Sequence, residues 1–149
     1  KWPPGATSGV VVAGGNGQGS RRDQLDKPGG VAVDSEQNVF VADSFNHRVV
    51  KWAPDATSGV VVAGGNFEGR GLHLFRCPQG VAIDSNMNLF VVDRYNNRVV
   101  KWAPNATSGV LVAGGNGKGA GLDQLKSPAG VAVDSDRNVF VADTGEPCR

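Results

Sequence analysis

Apolar residues in this chain come in dense runs of four to six, and each run is fenced by Gly, Pro, Asn or Asp. β-Branched and aromatic side chains fill the runs, as in strands that fit a pleated surface. No window holds apolar residues at i, i+3, i+4 and i+7, so no amphipathic helix is predicted. In the middle of the chain the pattern predicts four strands: a at Gly80–Asp84, b at Asn88–Asp93, c at Arg98–Ala103 and d at Gly109–Ala113. The a–b turn "DSNMN" begins with Asp84, whose carboxylate can cap the turn's amides, and the c–d turn "APNATSG" is built around Pro104. Strands a and b are apolar at consecutive positions, as in Val131-Ala132-Val133 and Val139-Phe140-Val141. A sheet with one wet face alternates apolar and polar residues instead. These sheets are therefore expected to be covered on both faces.

The pattern repeats. Trp2, Trp52 and Trp102 are 50 residues apart, as are Pro28, Pro78 and Pro128, with no insertion between copies. A four-stranded antiparallel meander repeated at this period is a propeller blade, and the long Gly-rich d-to-a connection crosses to the next blade. Gly30–Gly64 and Gly80–Gly114 supply two full blades, while Gly130–Asp143 supplies strands a and b only. Lys1-Trp2 and Gly9–Ala13 match the end of strand c and strand d of a further blade. The expected organisation is thus outer strands plus linker at 1–29, a blade plus linker at 30–79 and again at 80–129, and inner strands at 130–149. This all-β module is read as half of a six-bladed propeller, since propellers have about 4–8 blades. Its ends are expected to be completed by a second copy joined head to tail or, the preferred reading, by further blades of a longer chain. The three tryptophans are expected at equivalent packed positions rather than in a ligand-stacking row.

The motif "PxGVAVDSxxNVFVADSxNHRVVKW" resembles the NHL repeat, named for its Asn-His-Leu segment, across all three units. Asn46-His47-Arg48 and Asn96-Asn97-Arg98 stand at that segment. The tryptophan–aspartate propeller repeat is disfavoured, because its period is shorter and no Trp-Asp pair exists here. The resemblance implies that Asp43 is tied to Arg48, and Asp93 to Arg98, across the b–c turn, in a structural role. The third unit keeps Asp143 but has Gly145-Glu146-Pro147-Cys148 where the rest of the motif would stand, so the tie is expected to be missing there.

Charge and composition narrow the function. The formal net charge is +1, so no overall field gathers nucleic acid or anionic lipid. No apolar run of about 20 residues predicts a membrane span. Position 1 lies inside a repeat, so the N-terminus is silent on compartment. The sequon at Asn105 favours secretion without deciding it. Cys77 and Cys148 fall at unrelated phases of the repeat and belong to no repeated zinc or disulfide framework. Cys77 reads as a plain thiol, whereas Cys148 replaces the Arg of the repeat and leaves a mixed or intermolecular disulfide open.

The Gly-rich linkers lack the following helix that a phosphate cradle needs. They read as blade connections instead, and their varied residues Arg21, Arg22, Glu68, Arg70, His73 and Lys118 are the candidate binding surface. "DSDRN" from Asp134 begins like a calcium loop but lacks its Gly and distant Glu, so a turn cap is preferred. With His47 and His73 as the only histidines, no histidine-rich zinc centre of the kind used by a propeller lyase can be assembled. No cofactor, metal or enzymatic activity is expected. The residues therefore describe a non-catalytic scaffold for protein or glycan binding, or for structural assembly. The alternative is a single-stranded RNA binder using Arg21, Arg22, Arg70, Arg76 and Lys126, whose charge is diluted by interleaved acids, and a fragment of a propeller enzyme such as a lyase is the third and least favoured reading.

Overall fold

Each apolar run becomes a strand because its neighbours in space supply both the hydrogen bonds and the apolar cover that a lone strand lacks. The computed structural model describes residues 1–65 and 67–145. Its described strands are β1 (Pro28–Val33), β2 (Val39–Asp43), β3 (Arg48–Trp52), β4 (Val60–Gly64), β5 (Pro78–Ile83), β6 (Leu89–Asp93), β7 (Arg98–Trp102), β8 (Val110–Gly114), β9 (Pro128–Val133) and β10 (Val139–Asp143). They form two four-stranded antiparallel meanders, β1-β2-β3-β4 and β5-β6-β7-β8, and a two-stranded sheet of β9 and β10. The chain is a partial β-propeller.

Strand a starts at the Pro, two residues ahead of the predicted Gly, because the Pro pairs with the Asp that ends strand b (Pro28 with Asp43, Pro78 with Asp93). A bulge between Pro28 and Val31, and its counterpart between Pro78 and Val81, absorbs the extra residue. The a–b turns close on their first residue. Asp84 Oδ1 accepts from the amides of Asn86 (3.0 Å) and Asn88 (2.8 Å), and its Oδ2 accepts from Asn88 Nδ2 (2.9 Å). Asp134 does the same for Asn138, and those hydrogen bonds hold its carboxyl below the usual carboxylate range. Both carboxylate oxygens are spent on the turn.

The sheets stack face to face. Phe40, Ala42, Val49, Phe75, Val81, Val91, Val100 and Trp102 fill the space between the first and second meanders. Phe90, Val92 and Val99 pack with Val131, Val133, Val139 and Val141 between the second meander and the β9–β10 sheet. At the inner edge the approach is close enough to exclude side chains. A Cβ on Gly80 would lie 2.7 Å from the Ala129 carbonyl oxygen and 3.1 Å from the Gly130 Cα. Those neighbours are backbone and cannot rotate away. Gly80→Ala is expected to cost about 1–3 kcal/mol through overpacking, and a urea unfolding midpoint equal to the parent's would refute this.

Cover on both faces holds for β5, β6 and β7 of the middle sheet and fails at its outer strand β8 and in the end sheets. β6 is buried along its whole length, whereas β1 and β10 keep exposed positions, because no sheet among the described residues packs on the outer side of either. Residues 9–13 form no strand, contrary to expectation. In the complete meanders strand d is held by five residues of strand c. Here only Lys1 and Trp2 stand in those places, and the pairing reduces to Lys1 and Val10, which exchange backbone hydrogen bonds of 2.7 and 2.8 Å. Trp2 is likewise not packed between blades. It is 67% exposed, against 2% for Trp52 and 5% for Trp102.

Candidate functional site

Asp34 and Asn38 are buried in the first a–b turn and Ser127 in a linker, while the other buried polar residues, Asp43, Ser44, Arg48, Asp93 and Arg98, stand at the b–c corners. Strand b ends in Asp43 or Asp93, a 3-10 turn follows (Ser44–Asn46, Arg94–Asn96), and the next residue, His47 or Asn97, turns the chain in a left-handed conformation at φ 52°. Strand c then opens with Arg48 or Arg98. Asp93 Oδ2 accepts from Arg98 Nε at 2.7 Å and from Asn96 Nδ2 at 2.8 Å, and its Oδ1 accepts from the Arg76 amide at 2.7 Å. The first blade repeats this set with Arg48, Asn46 and the Asp26 amide around Asp43. Burial pushes the Asp93 carboxyl up, while the Arg76 amide, the Asn96 side chain and the Arg98 guanidinium pull it back.

The guanidinium has a second task. Arg98 donates to the carbonyls of Arg70 (2.6 Å), Gly71 (2.9 Å) and Leu74 (3.1 Å), and Arg48 to those of Ser20, Arg21 and Gln24. Asn46 and Asn96 add the carbonyls of Gly19 and Gly69. Each corner thus clamps the linker that leads into its own blade. The long Gly-rich connections are shaped by this clamp, and by glycines at positive φ such as Gly64 and Gly65. The third copy of the corner beyond Gly145, including Cys148, lies outside the described residues.

His47 and Asn97 fasten each blade to the next. His47 Nδ1 accepts from the Cys77 amide at 3.1 Å, and Asn97 Oδ1 accepts from the Ser127 amide at 2.9 Å. The His47 ring is therefore a structural acceptor through Nδ1. Asn does the same work in the second blade and suits a left-handed φ. His47→Asn is expected to leave stability unchanged within about 0.5 kcal/mol, and His47→Leu to cost about 1–3 kcal/mol by stranding a buried amide. Equal losses for both variants in thermal melts would reject this role. Cys77 is buried, and burial pushes its thiol up, which leaves it little thiolate for chemistry.

The linker candidates are distributed along the loops rather than gathered. Arg21 pairs with Asp23 at 3.3 Å, and Glu68 pairs with Arg76 at 3.3 Å. Arg22 keeps its carbonyl on the Gly59 amide (2.7 Å), and the His73 ring lies against Gly71. Two candidates do meet. Arg70 and Lys118 face one cleft of about 370 Å³ between the second and third linkers, with Tyr95, Asn97, Leu111 and Gly117 also lining it. Sequence reading passed over Tyr95, although it stands at the one variable place between Arg94 and Asn96 and is exposed. Asn105 is exposed in its c–d turn. No group of His, Cys, Asp or Glu among the described residues forms a metal cluster, and no described helix is long and apolar enough to cross a membrane.

Residues 25–52 and 75–102 match the family model of the NHL repeat. Among solved structures, a gluconolactonase from Xanthomonas campestris superposes with a TM-score of 0.63 at 18% identity, over 85% of this chain and 41% of its own. An auxiliary nutrient binding protein from Bacteroides thetaiotaomicron VPI-5482 gives 0.60 at 16% identity, over 77% and 34%. A luciferin-regenerating enzyme gives 0.51 at 18%, over 83% and 39%. The chain therefore spans between a third and about two fifths of those proteins, and at such identities the likeness is one of fold. No curated protein gives a sequence match.

Proposed function

We propose that this chain, whose blades are NHL repeats of the β-propeller kind, acts by binding rather than by chemistry, with protein as the partner and the linker rim as the surface. One observation carries the reading. The side chains capable of acid–base or ionic work at the buried corners (Asp43, His47, Arg48, Asp93 and Arg98) are each spent on backbone or on one another, while the varied linker side chains are held out in solvent. A clamp that fixes a loop's backbone and leaves its side chains free is what recognition on a rigid scaffold requires. Fold likeness supports both kinds of role, since the neighbours include a gluconolactonase and a nutrient binding protein. The choice between them rests on this chain's own side chains.

The test is a six-fold variant with Ser at positions 21, 22, 68, 70, 73 and 118. A peptide library panned on the native chain is expected to yield ligands that no longer bind the variant, while its melting temperature stays near the parent's. Ligands indifferent to the variant, or turnover of a sugar lactone by the native chain, would overturn the reading.

A further inference from the structure

The cleft between the second and third linkers has a more specific chemistry than the rest of the rim. We infer that it receives a carboxylate side chain from an extended acidic segment of a partner protein, an inference that rests on the linker rim being the binding surface. Arg70 and Lys118 stand on opposite linkers and line the same cleft of about 370 Å³, a size at the lower end of ligand pockets and suited to one or two side chains. Among the described residues no carboxylate lines it. Arg98 at its base is already neutralised by Asp93. Among the described residues neither Arg70 nor Lys118 has an ion-pair partner, whereas Arg21, Arg48, Arg76 and Arg98 each have one. The cleft therefore holds two uncompensated cations, and Tyr95 brings a half-exposed ring to the same wall.

The repeat supplies an internal control. One period upstream, the positions of Arg70, Lys118 and Tyr95 are Ser20, Glu68 and Phe45. The corner there is clamped in the same way, by Arg48 and Asn46. Neither cation nor the phenol is needed to build the loop: Arg98 takes the Arg70 carbonyl, not its side chain. The fold leaves these three positions free, and in the second cleft they are filled by an anion-binding set. An Arg guanidinium offers a carboxylate two parallel hydrogen bonds, and a nearby ammonium and phenol add charge and a donor.

A carboxylate on a peptide fits better than the backbone of a nucleic acid. Single-stranded RNA binding needs a basic track along several phosphates. Here the net charge is +1, and Glu68 and Asp123 stand on the same two linkers. Two isolated cations match one or two acidic residues.

The probe is hexaglutamate, titrated into the native chain with hexaglutamine as control and the amides of Gly115 and Gly117 as reporters. Hexaglutamate is expected to shift those amides and to weaken with salt, and hexaglutamine to leave them in place. The double variant Arg70→Gln/Lys118→Gln should lose about tenfold or more in affinity at an unchanged melting temperature. Unaltered hexaglutamate binding by that variant, or equal binding of hexaglutamine, would overturn the inference. So would tighter binding of oligouridylate at the same residues. If binding survives this variant but is lost on changing Arg21 and Arg22, the cleft is wrong and the rim reading stands. If the six-fold Ser variant also binds hexaglutamate as the native chain does, both fall.

Discussion

Arg98→Met is expected to lower the stability of the chain by about 3–5 kcal/mol, the range for breaking one side of a buried ion pair. The size follows from what is left behind. Asp93 is fully buried and would lose its 2.7 Å partner, while the carbonyls of Arg70, Gly71 and Leu74 would lose their donor together. Arg98→Lys should recover little, because an ammonium cannot reach a carboxylate and three carbonyls with the fork of a guanidinium. The pH dependence has a definite sign. Burial raises the folded-state value of Asp93, and removing Arg98 strengthens that tendency. The cost of the buried charge is therefore fully present above the raised folded value and is relieved as pH falls through it toward the ordinary carboxylate range. Urea unfolding of parent and variant at neutral and acid pH should give a deficit that shrinks on acidification. A deficit under about 1 kcal/mol at neutral pH would show that the pair contributes little beyond its partners' hydrogen bonds.

Residues 1–149 alone are expected to associate into dimers or larger aggregates at micromolar concentration. At one end Val10, Val11 and Val31 are exposed around an open apolar hollow of about 640 Å³. At the other, β10 has β9 on one edge and no described strand on the other, and Phe140 is 58% exposed. Apolar faces with an open strand edge invite strand addition. The complete blades give the register such a strand would take: Phe40 opposite Lys51 and Val39 opposite Trp52, and likewise Phe90 opposite Lys101 and Leu89 opposite Trp102. Lys1 and Trp2 of a second copy would then lie opposite Phe140 and Val139. Light scattering decides the matter. A stable, soluble monomer would sink the expectation, whereas a dimer whose Trp2 fluorescence shifts toward that of a buried indole would support it.

Most of the blade was legible because it is local. Apolar runs, Asp-led turns and Gly pairs recur every 50 residues, and each acts within a few residues of itself: Asp84 caps its own turn, and Gly64 and Gly65 take positive φ where the chain leaves strand d. The period then identifies the repeat, because a meander of this length cannot bury its faces alone. Neighbours in space decided the rest. Phe40, Phe90 and Phe140 occupy one position of one motif, yet are 6%, 3% and 58% exposed, since Phe40 and Phe90 pack against the following sheet and no described sheet follows Phe140. Trp52 is buried with Val41 and Val50 beneath Ala13 and Leu25, whereas Trp2 is 67% exposed, and residues 9–13 carry a strand's sequence without enough of a partner to become one. Arg70, Tyr95 and Lys118 belong to a linker, a corner and the next linker, so only the clamp that Arg98 places on the chain, and the stacking of the blades, could bring them to one cleft.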